Sequence, residues 1–289
     1  MNPNFFIVGG AKCATSNISY YLNDHHDIFI PELNEPYYYC KFDVPKNFER
    51  ESMITDKKKY LNLFEKATYH KAIGEATPVY LQCPNAAKKI KEDFPDSKII
   101  ISIRNPIDKA HSTYFSYKFM NLDKRTFSEK IDIYEKKSLD DEFDLFNFIE
   151  DGYFSKHIQR FQKIFPPKQI KIILFEDYIK NIPTHINSIL NFLEIKETIP
   201  LVIKPKNSFR IPKNQLAKYL LNNKTFRDFS TKLIPTLTRD KIGEKFFVKQ
   251  SSKPSMSVED RERLKKIFLN EYTNLKNLLG IELPWEDYQ

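Results

Sequence analysis

Phe5-Phe6-Ile7-Val8-Gly9-Gly10-Ala11-Lys12-Cys13-Ala14-Thr15-Ser16 carries the reading of the whole chain. The apolar run Phe5 to Val8 is too short for a helix and is closed by a glycine pair, which predicts a buried strand. Thr15 or Ser16 then caps a predicted helix to about Leu22, with Ile18, Tyr21 and Leu22 on one face. Between them lies a strand-to-helix turn of small residues, through which a backbone can approach an oxyanion. The helix start adds free N–H groups and a positive dipole end. Lys12 adds a mobile charge, and Thr15 and Ser16 add hydroxyls. These are the parts of a phosphate cradle; the plainer alternative is a tight turn with a capping threonine and a surface lysine.

Working outward, Ala72-Ile73 before Gly74 predicts a second, weaker strand. Pro84 to Phe94 predicts a helix, and Lys98-Ile99-Ile100-Ile101-Ser102-Ile103 predicts the clearest buried strand. Arg104-Asn105-Pro106 follows, with Pro106 suited to the first position of another helix. Tyr153 to Phe165 is amphipathic, residues 169–175 predict a further strand, and a helix is expected near 185–193. Val258 to Leu279 predicts a terminal helix capped by Ser257 and stopped by Gly280. Strands that alternate with helices imply an α/β fold: a mainly parallel sheet with helices on both faces, in a single domain over residues 1–289. Residues 121–148 are polar and irregular, which suggests an insertion. Residues 204–253 hold 13 Lys/Arg against 3 Asp/Glu, a local charge of +10 within a chain whose net charge is +8. That stretch reads as a basic lid over the strand ends and suits an anionic ligand, although a solvated basic surface would look the same.

A charged fraction of 29% and a hydrophobic fraction of 41% are those of a globular protein and exclude a disordered chain. No apolar run approaches the roughly 18–20 residues of a membrane span, and the first residues lack the basic region of a signal peptide. Cys13, Cys40 and Cys83 are widely spaced and odd in number, which argues against a disulfide framework or a zinc site and makes a reducing cytoplasm the expected compartment. No metal-ligand spacing is present. The cradle is not a Walker A loop, which is written G-x-x-x-x-G-K-S/T. A nucleoside-triphosphate enzyme also needs an acidic residue for magnesium, whereas the strand at 98–103 ends in Arg104. A strand-end arginine suits a second phosphate, and the combination favours metal-free chemistry on a doubly phosphorylated nucleotide.

Lys12-Cys13-Ala14-Thr15-Ser16-Asn17 resembles the 5′-phosphosulfate loop, K-x-G-T-T/S, of sulfotransferases that use 3′-phosphoadenosine 5′-phosphosulfate (PAPS). Ala14 stands where that loop commonly has glycine. Ile103-Arg104-Asn105-Pro106 through Ser112-Thr113-Tyr114 resembles the family's 3′-phosphate motif, an arginine followed eight residues later by a serine. Asn34-Glu35-Pro36-Tyr37-Tyr38-Tyr39, Gly74-Glu75-Ala76-Thr77-Pro78-Val79-Tyr80 and Gly152-Tyr153-Phe154-Ser155-Lys156-His157 resemble segments of the heparan-sulfate-type branch written K-E-P-H-F-F, G-E-K-S/T-P-x-Y and G-x-Y-x-x-H. Ser255 to Trp285 resembles that branch's last helix and tail. Asn34, Tyr37 and Cys40 depart from the branch's lysine, histidine and acidic residue, so acceptor handling is expected to differ.

The resemblance implies a P-loop-like fold and sulfuryl transfer from PAPS, without a metal, to the hydroxyl or amine of an acceptor, a carbohydrate being one candidate. It assigns Glu35 as general base and Lys12 as the cation that neutralises the leaving group. His157 is assigned to the acceptor side, with a buried hydrogen-bonded histidine as the alternative. Lys12, Cys13, Ala14, Thr15, Ser16 and Asn17 are assigned to the 5′-phosphosulfate, and Arg104 and Ser112 to the 3′-phosphate. Lys249 and Lys253 correspond to a basic loop over that phosphate. Glu75 reads more as structural than catalytic, and Tyr37, Tyr38 and Tyr39 more as core than as an acceptor wall. A P-loop kinase, which would bind ATP with magnesium, is the enzymatic alternative. A basic nucleic-acid binder using 204–253 is the other, though no nucleic-acid motif accompanies the charge.

Overall fold

The computed structural model describes residues 1–40, 43, 52–119, 125–136, 148–196, 210–222 and 246–289. Its centre is a five-stranded parallel sheet: β1 (Phe5–Gly9), β2 (Ile28–Phe29), β3 (Ala72–Ala76), β4 (Lys98–Ile103) and β5 (Ile170–Leu174), in the order β2-β3-β1-β4-β5. β1 is central because every residue of it can be buried. Phe6 and Val8 enter one core, with Ile99, Ile101 and Ile103 of β4, while Phe5 and Ile7 enter another, with Ile100. A continuous apolar run is what a strand covered on both faces requires. The two-residue β2 has too little apolar sequence around it to be read as a strand, and it was not expected.

Helices α1 (Thr15–Leu22), α2 (Lys57–Asn62), α3 (Ala86–Asp93), α4 (Pro106–Phe119), α5 (Phe127–Lys136), α6 (Phe154–Gln162), α7 (Phe175–Lys180) and α8 (Ile182–Phe192) cover the sheet. A short antiparallel pair, β6 (Arg210–Pro212) with β7 (Val248–Gln250), and α9 (Gln215–Asn222) lie within the basic stretch; residues 204–209 and 223–245 lie outside the described residues. The last helix, α10 (Val258–Leu279), starts where Ser257 Oγ accepts from the Asp260 amide at 3.0 Å. It ends at Gly280 with φ 65°, as its sequence predicts. Its Leu264 and Phe268 pack with Ile107 and Ala110 of α4 and Phe127 and Ile131 of α5.

Two expectations need correction. The supposed insertion at 121–148 is not wholly irregular: Phe127 and Ile131 bury one face of α5, a short 3.6-period signal obscured by the polar residues around it. Residues 120–124 and 137–147 lie outside the described set. The cysteine reading is overturned: Cys40 and Cys83, 43 positions apart, form a disulfide with their Cα atoms 5.6 Å apart. Cys13 is the leftover that made the count odd. With the disulfide goes the premise for a reducing compartment. Among the described residues no helix is long and apolar enough to cross a membrane.

Candidate active site

The cradle forms at the carboxyl end of β1. Gly9, at φ 155°, leaves no room for a side chain, since a Cβ there would lie 2.1 Å from the Ser102 carbonyl oxygen of β4. A Cβ on Gly10 would meet the Phe154 ring of α6 at 2.7 Å. The chain then passes through the left-handed region twice, at Lys12 (φ 65°) and Ala14 (φ 67°), before entering α1. Alternation of this kind turns successive amides toward one concavity, an anion nest. Asn17 and Ile18 amides both go to the Ala14 carbonyl, so the Thr15 and Ser16 amides stand at the helix start. Ser102 Oγ donates to the Cys13 carbonyl and pins the loop to β4.

Ala14 thereby explains a departure from the family pattern. A left-handed alanine costs about 1–2 kcal/mol that a glycine does not, less the extra unfolded-state entropy of glycine, about 0.4–1 kcal/mol. Ala14→Gly is therefore expected to stabilise the fold by about 0.5–1 kcal/mol and to raise the thermal midpoint by roughly 1–3 °C. A lowered midpoint in scanning calorimetry would refute a strained Ala14.

Three cations converge on the nest. Lys12 Nζ reaches Ser116 Oγ of α4 at 3.5 Å. Its pKa is lowered by burial and by Arg104, and is pulled back by Glu35, so Glu35 stands close enough to be felt. Arg104 leaves the end of β4, lays its guanidinium over the Phe175 ring at 4.1 Å and donates to the Lys12 carbonyl at 3.3 Å. Its Nε is buried and has no hydrogen-bond partner. Lys253 is depressed by burial, then by Arg104, with Lys12 also contributing. No ion pair among the described residues claims Lys12, Arg104 or Lys253. The neighbouring Arg261, by contrast, is matched by Asp108 at 2.6 Å and Asp287 at 2.5 Å. A cluster of cations without ion pairs among the described residues, with an orphaned buried donor, suits an anion.

Other residues fall differently. Cys13 is fully buried, with its thiol pushed up to about 12 by burial, and offers only backbone to the cradle. Asn17 is also buried, and its Oδ1 accepts from Tyr178 of α7 at 2.5 Å, which leaves only its amide nitrogen to donate. Thr15 is buried at the cradle and Ser16 is exposed. Ser112 lies one turn before Ser116 on α4, on the stripe that Lys12 reaches. Ser116 was not singled out from sequence, although its spacing of four from Ser112 carries the signal. Lys249 is exposed on β7, opposite Ile211, and no described contact joins it to the cluster.

Glu35 is half-buried, at φ 54°, and Tyr37 beyond Pro36 has φ 53°. Two left-handed non-glycine residues in one turn cost of order 1–3 kcal/mol each, and such strain gathers at functional sites. Tyr37 Oη donates to Glu35 Oε2 at 2.5 Å, and no hydrogen bond among the described residues takes the other oxygen. Tyr38 and Tyr39 are core, as expected: Tyr38 stacks on Tyr60 at 4.2 Å, and both rings border buried Glu75 through Tyr60. Glu75 accepts from Tyr60 and from Thr77 Oγ1 at 2.6 Å. Burial pushes its carboxyl up to about 7, and its oxygens are committed to these hydroxyls, in keeping with a structural role.

His157 is buried, and burial with the Arg160 charge pulls its pKa down to about 3. Arg160 Nη2 lies 3.2 Å from its Nδ1. A guanidinium can only donate, so Nδ1 accepts and Nε2 carries the proton. His157 is thus a neutral donor and a poor base. It matches the buried, hydrogen-bonded alternative, and no described contact joins it to Glu35 or Lys12.

Comparison with known proteins bears on the family and the fold. A crystal structure of a sulfotransferase from Alicyclobacillus acidocaldarius is 25% identical, superposes with a TM-score of 0.73 and is matched over 98% of both chains. The sulfotransferase domain from the curacin biosynthetic pathway shares the fold at 13% identity and a TM-score of 0.53. Among curated relatives, membrane-associated sulfotransferase kil1 of Dictyostelium discoideum is 28% identical over 129 residues, 42% of this chain and 25% of its own length. Human carbohydrate sulfotransferase 15 is 20% identical over 286 residues, 78% of this chain and 51% of its own. The chain therefore spans about half or less of the curated relatives it matches. The sulfotransferase domain model matches residues 3–276, nearly the full length, and the chain belongs to the sulfotransferase domain family.

Proposed function

We propose that the chain transfers a sulfuryl group from PAPS to the hydroxyl or amine of an acceptor. The observation that carries this reading is the trio of an exposed Lys12 with half-buried Arg104 and Lys253, none with an ion-pair partner among the described residues, around a nest of backbone amides. Bound PAPS would supply the sulfuryl group and depart as a bisphosphate. The nest, with Thr15, Ser16 and the amide nitrogen of Asn17, suits its 5′ end. Arg104, with its unused Nε, together with Ser112 and Lys253, suits the 3′-phosphate, and Lys249 is the weaker candidate beside them.

Three tasks remain for the chain. Glu35, with one oxygen held by Tyr37 and no described hydrogen bond on the other, takes the acceptor proton. Lys12 meets charge that grows on the leaving phosphate. Ser116 holds the Lys12 ammonium in place. A carbohydrate acceptor is supported by the likeness to human carbohydrate sulfotransferase 15. The disulfide favours an oxidising compartment over the cytoplasm expected from the cysteine count.

The reading is tested by calorimetry with adenosine 3′,5′-bisphosphate in metal-free buffer. Tight binding is expected, and Arg104→Ala should weaken it by about 1.5–3 kcal/mol. Adenosine 5′-phosphosulfate, which lacks the 3′-phosphate, should lose far less. Equal losses for both nucleotides would remove the 3′-phosphate assignment, and magnesium-dependent ATP binding in place of either would favour a kinase. A screen of carbohydrate, lipid and small-metabolite acceptors with labelled PAPS then identifies the acceptor.

A further inference from the structure

The turn Glu35-Pro36-Tyr37 holds two left-handed residues. Pro36 has no N–H. Its carbonyl accepts from the Ile54 amide at 2.8 Å, and the Tyr37 carbonyl accepts from the Cys40 amide at 3.0 Å. On the preceding side Glu32, Leu33 and Asn34 are exposed. Something outside the turn must over-determine it, because strained backbone persists only where its surroundings leave no alternative.

That support is on its following side. Tyr38–Cys40 forms a 3-10 turn, fully buried, whose Tyr39 amide donates to Tyr80 Oη at 3.3 Å. Cys40 is joined to Cys83, directly after the turn Pro78–Leu81. The carbonyls of Gln82 and Cys83 are in turn held by Arg160 Nη1 of α6, at 3.0 and 3.1 Å. Upstream, the Thr77 amide donates to the Ile7 carbonyl of β1 at 3.1 Å. β1 is the strand that delivers Lys12. A covalent and hydrogen-bonded path thus links the Glu35 turn to the frame of the cradle.

We propose that the Cys40–Cys83 disulfide, seated by Arg160, is a positioning brace for Glu35: it holds the strained turn facing Lys12 and is needed for transfer rather than for nucleotide binding. The proposal rests on the reading of Glu35 as the base. Neither cysteine nor Arg160 touches the reacting atoms. They act through the four residues between Glu35 and Cys40.

The test is the double variant Cys40→Ser/Cys83→Ser, compared with the disulfide-bonded protein. Amide exchange is followed by mass spectrometry on peptides covering 31–40 and 9–22. Affinity for adenosine 3′,5′-bisphosphate is measured alongside, and so is release of labelled sulfate from PAPS, with water as the acceptor. Exchange is expected to rise in 31–40 and not in 9–22. Nucleotide affinity should stay within about threefold, and sulfate release should fall roughly 10–10²-fold, as for a misplaced catalytic group. Arg160→Lys, which keeps the disulfide and the charge but not the forked grip, should loosen 31–40 in the same direction to a smaller degree, and it stands in if the double variant does not fold. Unchanged exchange in 31–40 in either variant overturns the brace. A uniform rise throughout the chain, with affinity and rate falling together, overturns it too, since a general staple would act that way. Glu35→Gln in the disulfide-bonded protein separates the two readings: unaltered sulfate release there discards the base while the exchange data still decide the brace.

Discussion

Glu35→Gln is expected to lower single-turnover sulfuryl transfer on the order of 10²–10⁴-fold while leaving nucleotide affinity and the thermal midpoint nearly unchanged. Glutamine keeps the size of the side chain and an oxygen to accept from Tyr37 Oη, so the local geometry survives. It cannot take a proton, so an acceptor hydroxyl would have to attack undissociated. No hydrogen-bonded ion pair is lost, because the described partner of Glu35 is a neutral phenol, and the fold has little reason to weaken. The competing explanations predict otherwise. A solvated loop carboxylate would change nothing, and a structural ion pair would cost stability with partial activity. Near-normal transfer would rule Glu35 out. His157 would not replace it easily: with Nδ1 accepting from Arg160 its outer nitrogen already carries a proton.

The parts of this site legible in the sequence are those that depend on local pattern. β1, β4 and β5 are short apolar runs with turn signals, and α4 has its leading proline and α10 its cap where these were expected; α1 instead starts at Thr15 behind a left-handed Ala14, and neither Thr15 nor Ser16 caps it as the sequence suggested. The cradle and Arg104 fall at strand ends, so their placement follows once a parallel sheet is assumed. What could not be read depends on pairings across long separations. Cys40 meets Cys83 only because β3 lies beside β1 and returns the chain past the Glu35 turn; spacing carries no trace of that. Tyr178 reaches Asn17 across 161 positions and fixes the Asn17 oxygen, and with it the direction of the nitrogen that can donate to a phosphate. Arg160 shares a helical face with His157 and so was locally visible, but its effect on the histidine depends on burial. The strain at Glu35 and Tyr37 was invisible as well, since neither residue type favours positive φ and only the surrounding core imposes it.

Lys12→Ala is expected to reduce turnover by about 10²–10³-fold, the usual consequence of removing a donor aimed at developing charge. Binding of adenosine 3′,5′-bisphosphate should fall much less, because the backbone nest, Arg104 and Lys253 remain. The distinction follows from where the charge is. In the bound donor the bridging oxygen between phosphorus and sulfur carries little charge; in the transition state it gains much of what the departing phosphate will hold. A cation that interacts more strongly with the second state raises turnover, whereas one that interacts equally with both changes only affinity. Lys12 is suited to the first role by its place in the left-handed turn of the nest and by Ser116, which accepts from the ammonium at 3.5 Å without neutralising it. Because Glu35 also feels Lys12, the losses in Lys12→Ala and Glu35→Gln should not add: the double variant should be less impaired than the product of the two factors. Single-turnover rates and calorimetric affinities on all three variants decide the matter. Unchanged turnover with a large drop in bisphosphate affinity would make Lys12 a ground-state binder and leave the leaving-group charge to Arg104 and the nest.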